Sequence, residues 1–400
     1  MEPGRAHCQE QQHSVKSSYL PVATLNSKLC LQSIVDHFKD YPIFEELTPS
    51  QRDFIEKRLS LSLPLSVTAN LIGDGVYWER CCKQRWDLCD VSYYGHSWKR
   101  MFFERHIENI IELFVPGVTN PETVLEIVSH CKNYVKRLDI SQLLPPLIEP
   151  QEEEEYSSDL ESENEYERPS MDHFNFGVLL DKLTYLEELH LVYRVKECGM
   201  NFEWKMFEMT DKDCESLAKA LQSCKTLKIL RLHLSQIEDK NVGCWSKLEV
   251  LNVCDNGIGD PGAKAIAHAL SKNSTLLSLN LCLNHLGDEG GEAIGKALWK
   301  NNTLLHLNLG GNKVTSPTAV SLSKVLAQNK TLKSINLSCN SLGEVGGKAL
   351  EEAMSDNTCL TECNIGLTHV DEETFSIINQ VVWKNKRLEE KRKAKEKTGK

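Results

Sequence analysis

The chain has no run approaching the roughly 18 apolar residues that a membrane span requires. Its 40% hydrophobic and 26% charged residues fit a soluble globular chain. It also lacks an excess of basic charge, with 46 Lys and Arg against 57 Asp and Glu and a net charge of −11. A general nucleic-acid binder needs a basic footprint over the phosphates, so that class is set aside. The opening residues, MEPGRAHCQEQQHSVKSS, contain no apolar signal core, and an intracellular chain is expected. Fifteen cysteines, an odd number, are spread from Cys8 to Cys363 without disulfide-like spacing. In reducing surroundings such residues are mostly small buried hydrophobes. The sequons at Asn273, Asn301 and Asn336 then carry no weight.

Catalytic patterns are missing too. There is no G-x-x-x-x-G-K-[ST], no G-x-G-x-x-G after a strand, no H-E-x-x-H and no G-x-S-x-G. None of the 13 histidines pairs with cysteine at finger spacing. The expectation is a chain without catalytic residues, cofactor or metal.

What is present is a repeat. LLSLNLCLNHL begins at Leu276, LLHLNLGGNKV at Leu304 and LKSINLSCNSL at Leu332, 28 residues apart. LEVLNVCDNGI at Leu248 and LTECNIGLTHV at Leu360 extend the same phase, the latter with Cys363 and Thr368 in place of Leu and Asn. Each fits L-x-x-L-x-L-x-x-N-x-L, the leucine-rich-repeat frame. Leu279 and Leu281 alternate into a core along a short strand, and Asn284 turns inward to satisfy backbone groups at the strand end. Asn256, Asn284, Asn312 and Asn340 are expected to stack as an internal ladder. The second half of each repeat carries apolar residues at helical spacing, with Ile266, Ile294, Leu322 and Leu350 in one column. Leu270, Leu298, Leu326 and Met354 form the next. The glycines of IGDPGAKAI and LGDEGGEAI are expected at the turns that open these helices. A 28-residue repeat with a full helix resembles the ribonuclease-inhibitor type. The expected fold is therefore α/β, a leucine-rich-repeat solenoid preceded by a mainly helical N-terminal domain.

Defects appear towards the N-terminal end. LKILRLHLSQI at Leu227 lies 21 residues before Leu248, so its convex helix should be lost or reduced. LEELHLVYRV at Leu186 lies 41 before Leu227, which implies an insertion near 195–207. VKRLDISQLL at Val135 reads as a degenerate first strand. At the other end Ile378 and Val382 keep the helix columns, whereas Lys391 and Lys393 occupy the next core positions and stop the solenoid.

The chain divides accordingly into a disordered N-terminus (1–17), a helical domain (18–147), an acidic linker (148–172), the repeats (173–383) and a basic tail (384–400). Residues 149–168 hold ten carboxylates and one arginine, and residues 384–400 nine basic and three acidic groups. Neither can bury a core, so both should be solvated and mobile. Ser157, Ser158 and Ser162 stand among the carboxylates as phosphorylation candidates, with a plain spacer as the simpler reading. The basic tail is either a solvated end or a contact for the acidic surface of tubulin.

Solenoids bind partners mostly on the concave face lined by their strands. The outward strand positions there are Asn252, Asn280, Asn308, Asn336 and Asn364, an asparagine column at the same period, with His306 beside it. A docking surface for a polar, helical partner and a merely solvated sheet face are the two readings of this column.

In the N-terminal region, TPSQRDFIEKRL and NPETVLEIVSHCKNYVKRL each place an N-cap residue, Thr48 or Asn120, before proline. Between them YWERCCKQRWDLCD, residues 77–90, puts Trp78, Cys82, Trp86 and Cys89 within one arc of a helical wheel, a buried stripe. Zinc would need Cys81, Cys82 and Cys89 with His96 or His106, and adjacent cysteines before a six-residue gap do not match the usual C-x₂₋₄-C pairs.

LSLPLSVTANLIGDGVYWERCCKQRWDLCD…SWKRMFFERHIENIIELFVPG, over roughly residues 45–150, together with the repeats, resembles the leucine-rich-repeat subunit family of the axonemal nexin–dynein regulatory complex. The resemblance implies a structural subunit of cilia and flagella that helps link doublets and regulate dynein-driven motility. Its partners would be other subunits of that complex, with neither membrane nor nucleic acid involved. The same stretch has some look of the second half of an F-box, which with the repeats would imply a ubiquitin-ligase substrate receptor. LPLSVTANLI matches the first half of that motif poorly.

Overall fold

The computed structural model describes residues 28–147, 172–201, 206, 208–235 and 247–398. The expected disordered N-terminus and all but the last residue of the acidic linker lie outside the described residues. The chain forms two compact units, 1–99 and 100–400.

The first unit contains α1 (Lys28–Asp36), α2 (Pro49–Glu56), α3 (Leu65–Leu71) and α4 (Val76–Arg85). Thr48 precedes α2 as its N-cap, and Gln51 Oε1 reaches back to accept the Thr48 amide at 2.8 Å, one half of a capping box. The core is built on Phe38, Ile55, Leu59, Ile72 and Trp78, all fully buried. Trp78 donates its indole N–H to the Ile72 carbonyl at 3.3 Å, and buried Lys99 donates its ammonium to the same oxygen at 2.7 Å. A carbonyl beyond a helix end thereby takes two donors that would otherwise be stranded in the core.

The stripe expected over residues 78–89 is corrected here. The helix stops at Arg85, and Trp86 is extended at φ −137° and ψ 132°. The buried face is Tyr77, Trp78, Cys81 and Cys82, whereas Trp86 and Cys89 are half-buried beyond the helix. A wheel assumes unbroken helix, and here the helix breaks before its second tryptophan. Burial raises the Cys81 thiol to about 11, the behaviour of a packed hydrophobe.

The second unit carries most of α5 (Trp98–Glu112), followed by α6 (Pro121–Cys131). Then come β1 (Arg137–Ile140), β2 (Glu188–Leu191), α7 (Asp211–Ser223) and β3 (Ile229–Leu232). The regular repeats follow: β4 (Val250–Asn252), α8 (Asp260–Leu270), β5 (Ser278–Asn280), α9 (Asp288–Leu298), β6 (His306–Asn308) and α10 (Ser316–Leu326). The array ends with β7 (Ser334–Asn336), α11 (Gly343–Asp356), β8 (Glu362–Asn364) and α12 (Glu372–Thr398). All eight strands make one parallel sheet in sequence order, so β1 and β8 are its edges. The strand read at Val135 as a degenerate first repeat is β1, and it belongs to this sheet.

Strand alternation and helix columns fall where the 28-residue phase puts them. Leu230, Leu251, Leu279, Leu307 and Ile335 are buried between neighbours that are half-buried or, at His306, exposed, and Ile266, Ile294, Leu322 and Leu350 are buried as well. Gly259 and Gly287 cap α8 and α9 at the turns that open those helices, as expected. Gly290 and Gly291 lie inside the first turn of α9, where a Cβ on Gly291 would run into Thr318 Oγ1, so these two permit close helix approach.

The two ends of the array are finished by different means. At β1, three glutamates of α5 accept the outward-facing amides. Glu104 Oε1 takes Lys136 N and Arg137 N at 2.7 and 2.9 Å, Glu108 Oε1 takes Asp139 N at 2.7 Å, and Glu112 Oε1 takes Ser141 N at 2.7 Å. Four helical residues rise about 6 Å, and two strand residues about 6.6 Å, so glutamates at every fourth position track amides at every second. An edge that would invite another strand is saturated. At the far end Ile378 is buried on α12, and Asn385 Nδ2 donates to the carbonyls of Asn357 and Leu360 at 3.0 and 3.1 Å. The segment read as a mobile basic tail continues α12 to Thr398, with 391–397 exposed, because helix already anchored by Ile378 and Asn385 propagates through good helix formers.

Burial pushes the Glu108 carboxyl from 4.5 up to about 8. A carboxyl raised on folding contributes stability that is complete below the unfolded value and is lost as pH rises through the folded one. Stability of this unit should therefore decline between about pH 4.5 and 8 through Glu108. Glu108→Gln keeps an acceptor for Asp139 N and removes the ionisation. Thermal melts at pH 5 and pH 8 should show a smaller gap for this variant than for the parent.

Candidate functional site

The strand side of the second unit repeats with the 28-residue period and faces solvent. Three rows of side chains cross it, fixed by register. The first runs Arg137, Glu188, Ile229, Val250, Ser278, His306, Ser334 and Glu362. The second runs Asp139, His190, Arg231, Asn252, Asn280, Asn308, Asn336 and Asn364. The third lies two residues beyond it in each strand and includes His233, Cys254, Cys282, Gly310 and Ser338.

The asparagine column is brought into one line, and each member has a local bond that the sequence did not signal. The Oδ1 atoms of Asn252, Asn280, Asn308, Asn336 and Asn364 accept the amide two residues ahead, from Cys254, Cys282, Gly310, Ser338 and Gly366, at 3.0–3.1 Å. The amides on either side belong to the sheet, as when Val253 N donates to Asn280 O and Asp255 N to Cys282 O. The side chain thus takes an amide that faces away from the neighbouring strand, an Asx-type bond. What remains for a partner is the Nδ2 end. Asn252, Asn280, Asn308 and Asn336 are half-buried, whereas Asn364 and His306 are exposed.

The N-terminal third of the same face is charged. Arg137 Nη2 lies 2.7 Å from Asp139 Oδ2, His190 Nε2 2.6 Å from Glu188 Oε1, and His190 Nδ1 3.6 Å from Asp139 Oδ2. Arg231 Nε stands 3.6 Å from Glu188 Oε1. The His190 hydrogen bond holds the Asp139 carboxyl below its ordinary value, and burial followed by the neighbouring His190 lowers His233. Strands β1–β3 therefore offer both charge signs, and β4–β8 offer mainly neutral amides.

Beneath the face the expected inner ladder is present. Asn284 Nδ2 donates to the carbonyls of Val253 and Leu281 at 2.9 and 3.1 Å, and its Oδ1 accepts Ile258 N at 3.2 Å. Asn340 Nδ2 donates to Leu309 O and Leu337 O, both at 2.9 Å, and its Oδ1 accepts Asn312 N at 3.1 Å. Ser235 and Thr368 hold this place in the outer repeats with a hydroxyl to a nearby carbonyl. A third column, Asn273, Asn301, Asn329, Asn357 and Asn385, closes the helix ends. Asn301 Nδ2 donates to Leu270 O and Asn273 O, both at 3.0 Å, and its Oδ1 accepts Leu304 N at 2.9 Å. Two of these residues were met first only as sequons, and their shared 28-residue period is the signal by which the column could have been found.

Among the described residues, no group of three or more His, Cys, Asp or Glu is placed to hold a metal. No helix among them is long and apolar enough to cross a membrane.

A family model described as Leucine Rich repeat matches residues 246–267, 272–295, 300–323 and 328–350. Dynein regulatory complex subunit 5 of Macaca fascicularis is 43% identical over 294 residues, 65% of this chain and 59% of that protein. The Homo sapiens protein of the same name is 44% identical over 256 residues, 62% of this chain and 51% of that one. The match spans about half to three fifths of these relatives. A solved structure titled Leiomodin-1 Actin-Binding Site 2 aligns with 38% of this chain and 90% of that chain, at 19% identity and a TM-score of 0.35.

Replacing Asn340 with Ala strands two carbonyls and one amide in the core, and should lower the unfolding free energy by about 2 kcal/mol or more. Asn308→Ala on the strand face forfeits one turn bond and should cost about 1 kcal/mol. Urea titrations of the two variants should rank them in that order. The chain carries leucine-rich repeats and, over as much as 65% of its length, is similar in sequence to proteins named dynein regulatory complex subunit 5.

Proposed function

We propose that this chain is a non-enzymatic scaffold subunit of a dynein regulatory complex in the axoneme of cilia and flagella. It binds other subunits of that complex through the strand face of its repeats, and so helps to link doublets and regulate dynein-driven motility. The observation that carries the reading is the similarity to proteins of that name, which covers 65% of the chain at 43% identity. The form of the surface supports it. The parallel sheet offers its solvent face as the broad, ordered area on which a partner can lie. Asn252, Asn280, Asn308, Asn336 and Asn364 give that area a line of amide donors, with His306 beside them.

Arginine placed at both Asn308 and Asn336 fills the middle of the face with bulk and charge while leaving the inner ladder alone. In cells lacking the parental chain, the doubly substituted protein should fold, shown by a parental circular dichroism spectrum, yet recover at least about tenfold less of the other complex subunits on affinity capture. Full recovery of those subunits would remove the strand face from the proposal.

The exposed end of α12 extends the reading to tubulin. Lys391, Arg392, Lys393, Lys395 and Lys397 stand on solvated helix, a compact positive segment in a chain of net charge −11. Such a segment suits the acidic surface of a microtubule. Deleting 386–400 should weaken microtubule cosedimentation at low salt, with the difference shrinking at high salt. Equal cosedimentation of both chains would exclude this contact.

A further inference from the structure

The third row of the strand face holds two cysteines side by side. Asn252 and Asn280 are partners in the β4–β5 register, and two residues on, Cys254 and Cys282 remain opposed because Asp255 N donates to Cys282 O at 2.9 Å. The same row continues with Gly310 and Ser338, so each thiol has only the other as a sulfur neighbour in its row. Both side chains are half-buried and open on the solvent face rather than packed in the core. From this arrangement we infer that Cys254 and Cys282 are a peroxide-sensitive dithiol that closes to a disulfide across adjacent repeats.

Geometry permits the bond at a small cost. Neighbouring strands lie about 4.7–4.9 Å apart, inside the Cα separation of roughly 4.4–6.8 Å found for disulfides. In-register Cβ atoms at that spacing must draw in slightly to reach the usual 3.5–4.5 Å, which makes the bond easier to reduce than a relaxed one. The two thiols face each other across the strand pair. The interaction with Cys254, before all other effects, lowers Cys282 to about 7, and the same interaction raises Cys254, so Cys282 is the nucleophile and Cys254 the donor. The buried Cys81 and Cys131, raised to about 11 and about 12, show what thiols of this chain do without such a partner.

The reaction balances with hydrogen peroxide as the oxidant. The Cys282 thiolate attacks one peroxide oxygen, the O–O bond breaks, and hydroxide leaves to collect the proton that Cys282 lost. The product is a Cys282 sulfenic acid and one water. The Cys254 sulfur then attacks the Cys282 sulfur, the S–S bond forms, the S–O bond breaks, and the departing oxygen takes the Cys254 proton as a second water. Two thiols give up two electrons and one peroxide accepts them. The inference stands on the register of β4 and β5 and is independent of the role in the axoneme.

The full chain, reduced and then treated with equimolar hydrogen peroxide, provides the test by peptide mapping under non-reducing conditions. The expected product is a peptide pair joined between Cys254 and Cys282, cleaved again by a mild thiol reductant. In Cys254→Ser, dimedone should label Cys282 as trapped sulfenic acid. In Cys282→Ser, oxidation of Cys254 should slow by about tenfold or more. Melting curves for both serine variants verify folding, and the map of the parental chain decides the matter if either is unstable. Cys282 left unmodified while the exposed Cys30 or Cys339 oxidises would overturn the inference, as would a disulfide from Cys282 to any other cysteine.

Discussion

The repeat depends on one carboxamide per turn of the coil. Where a short strand ends, the chain must bend inward towards a helix, and the carbonyls at the bend face a core without water. An unpaired carbonyl or amide in that position carries the full desolvation cost. Asparagine alone among the small side chains brings two donors and an acceptor to the same point. Asn284 and Asn340 use both ends, each bonding its own repeat and a neighbouring one. The ladder therefore joins repeats as well as finishing them. Asn301 and Asn357 solve the corresponding problem at the helix end, where Asn357 Nδ2 donates to Leu326 O at 2.7 Å and its Oδ1 accepts Leu360 N at 2.8 Å. A solenoid with few residues per strand is stable because its irregular corners are as fully bonded as its sheet.

The edges show the same constraint at larger scale. An array that adds units along one axis ends twice, and each end exposes a row of strand groups. The N-terminal end borrows acceptors from three glutamates of α5, and the C-terminal end adds one more helix in repeat phase and omits its strand. The acidic solution carries a burden of its own. Glu104 is fully buried and Glu108 half-buried, and burial raises both carboxyls. Arg100, 2.7 Å from Glu104, offsets part of that cost.

How much of this is legible in the sequence follows from where the information lies. Period, strand alternation, helix columns and the inner asparagine ladder can all be read, because each is a residue type recurring every 28 positions for a reason internal to the repeat. The helix-end column shares that period and was legible in principle. Glu104, Glu108 and Glu112 were not, since carboxylates at four-residue spacing on a helix look like an ordinary solvated face. Only the packing against β1 turns them into a cap. Cys89 and Trp86 failed for the opposite reason: their spacing fits a helix that the backbone does not continue. The strand-face asparagines were found at the correct positions, but their bond to the amide two residues ahead depends on backbone direction, which a period does not encode.

That bond also bears on what the proposed docking face would recognise. An asparagine free at both ends presents donor and acceptor alike and discriminates weakly between partners. With Oδ1 committed to the backbone, each residue from Asn252 to Asn364 has its donor left to offer. Beside the amides, the β1–β3 segment couples Arg137, Asp139, Glu188, His190 and Arg231 into mutual ion pairs, so its charges are already partly neutralised. A partner lying along the sheet would meet acceptor-seeking amides at one end and a balanced charge network at the other. Binding along such a face favours a segment rich in carbonyl or carboxylate oxygen over the amide end, and the polarity of the array then sets the direction in which that segment lies.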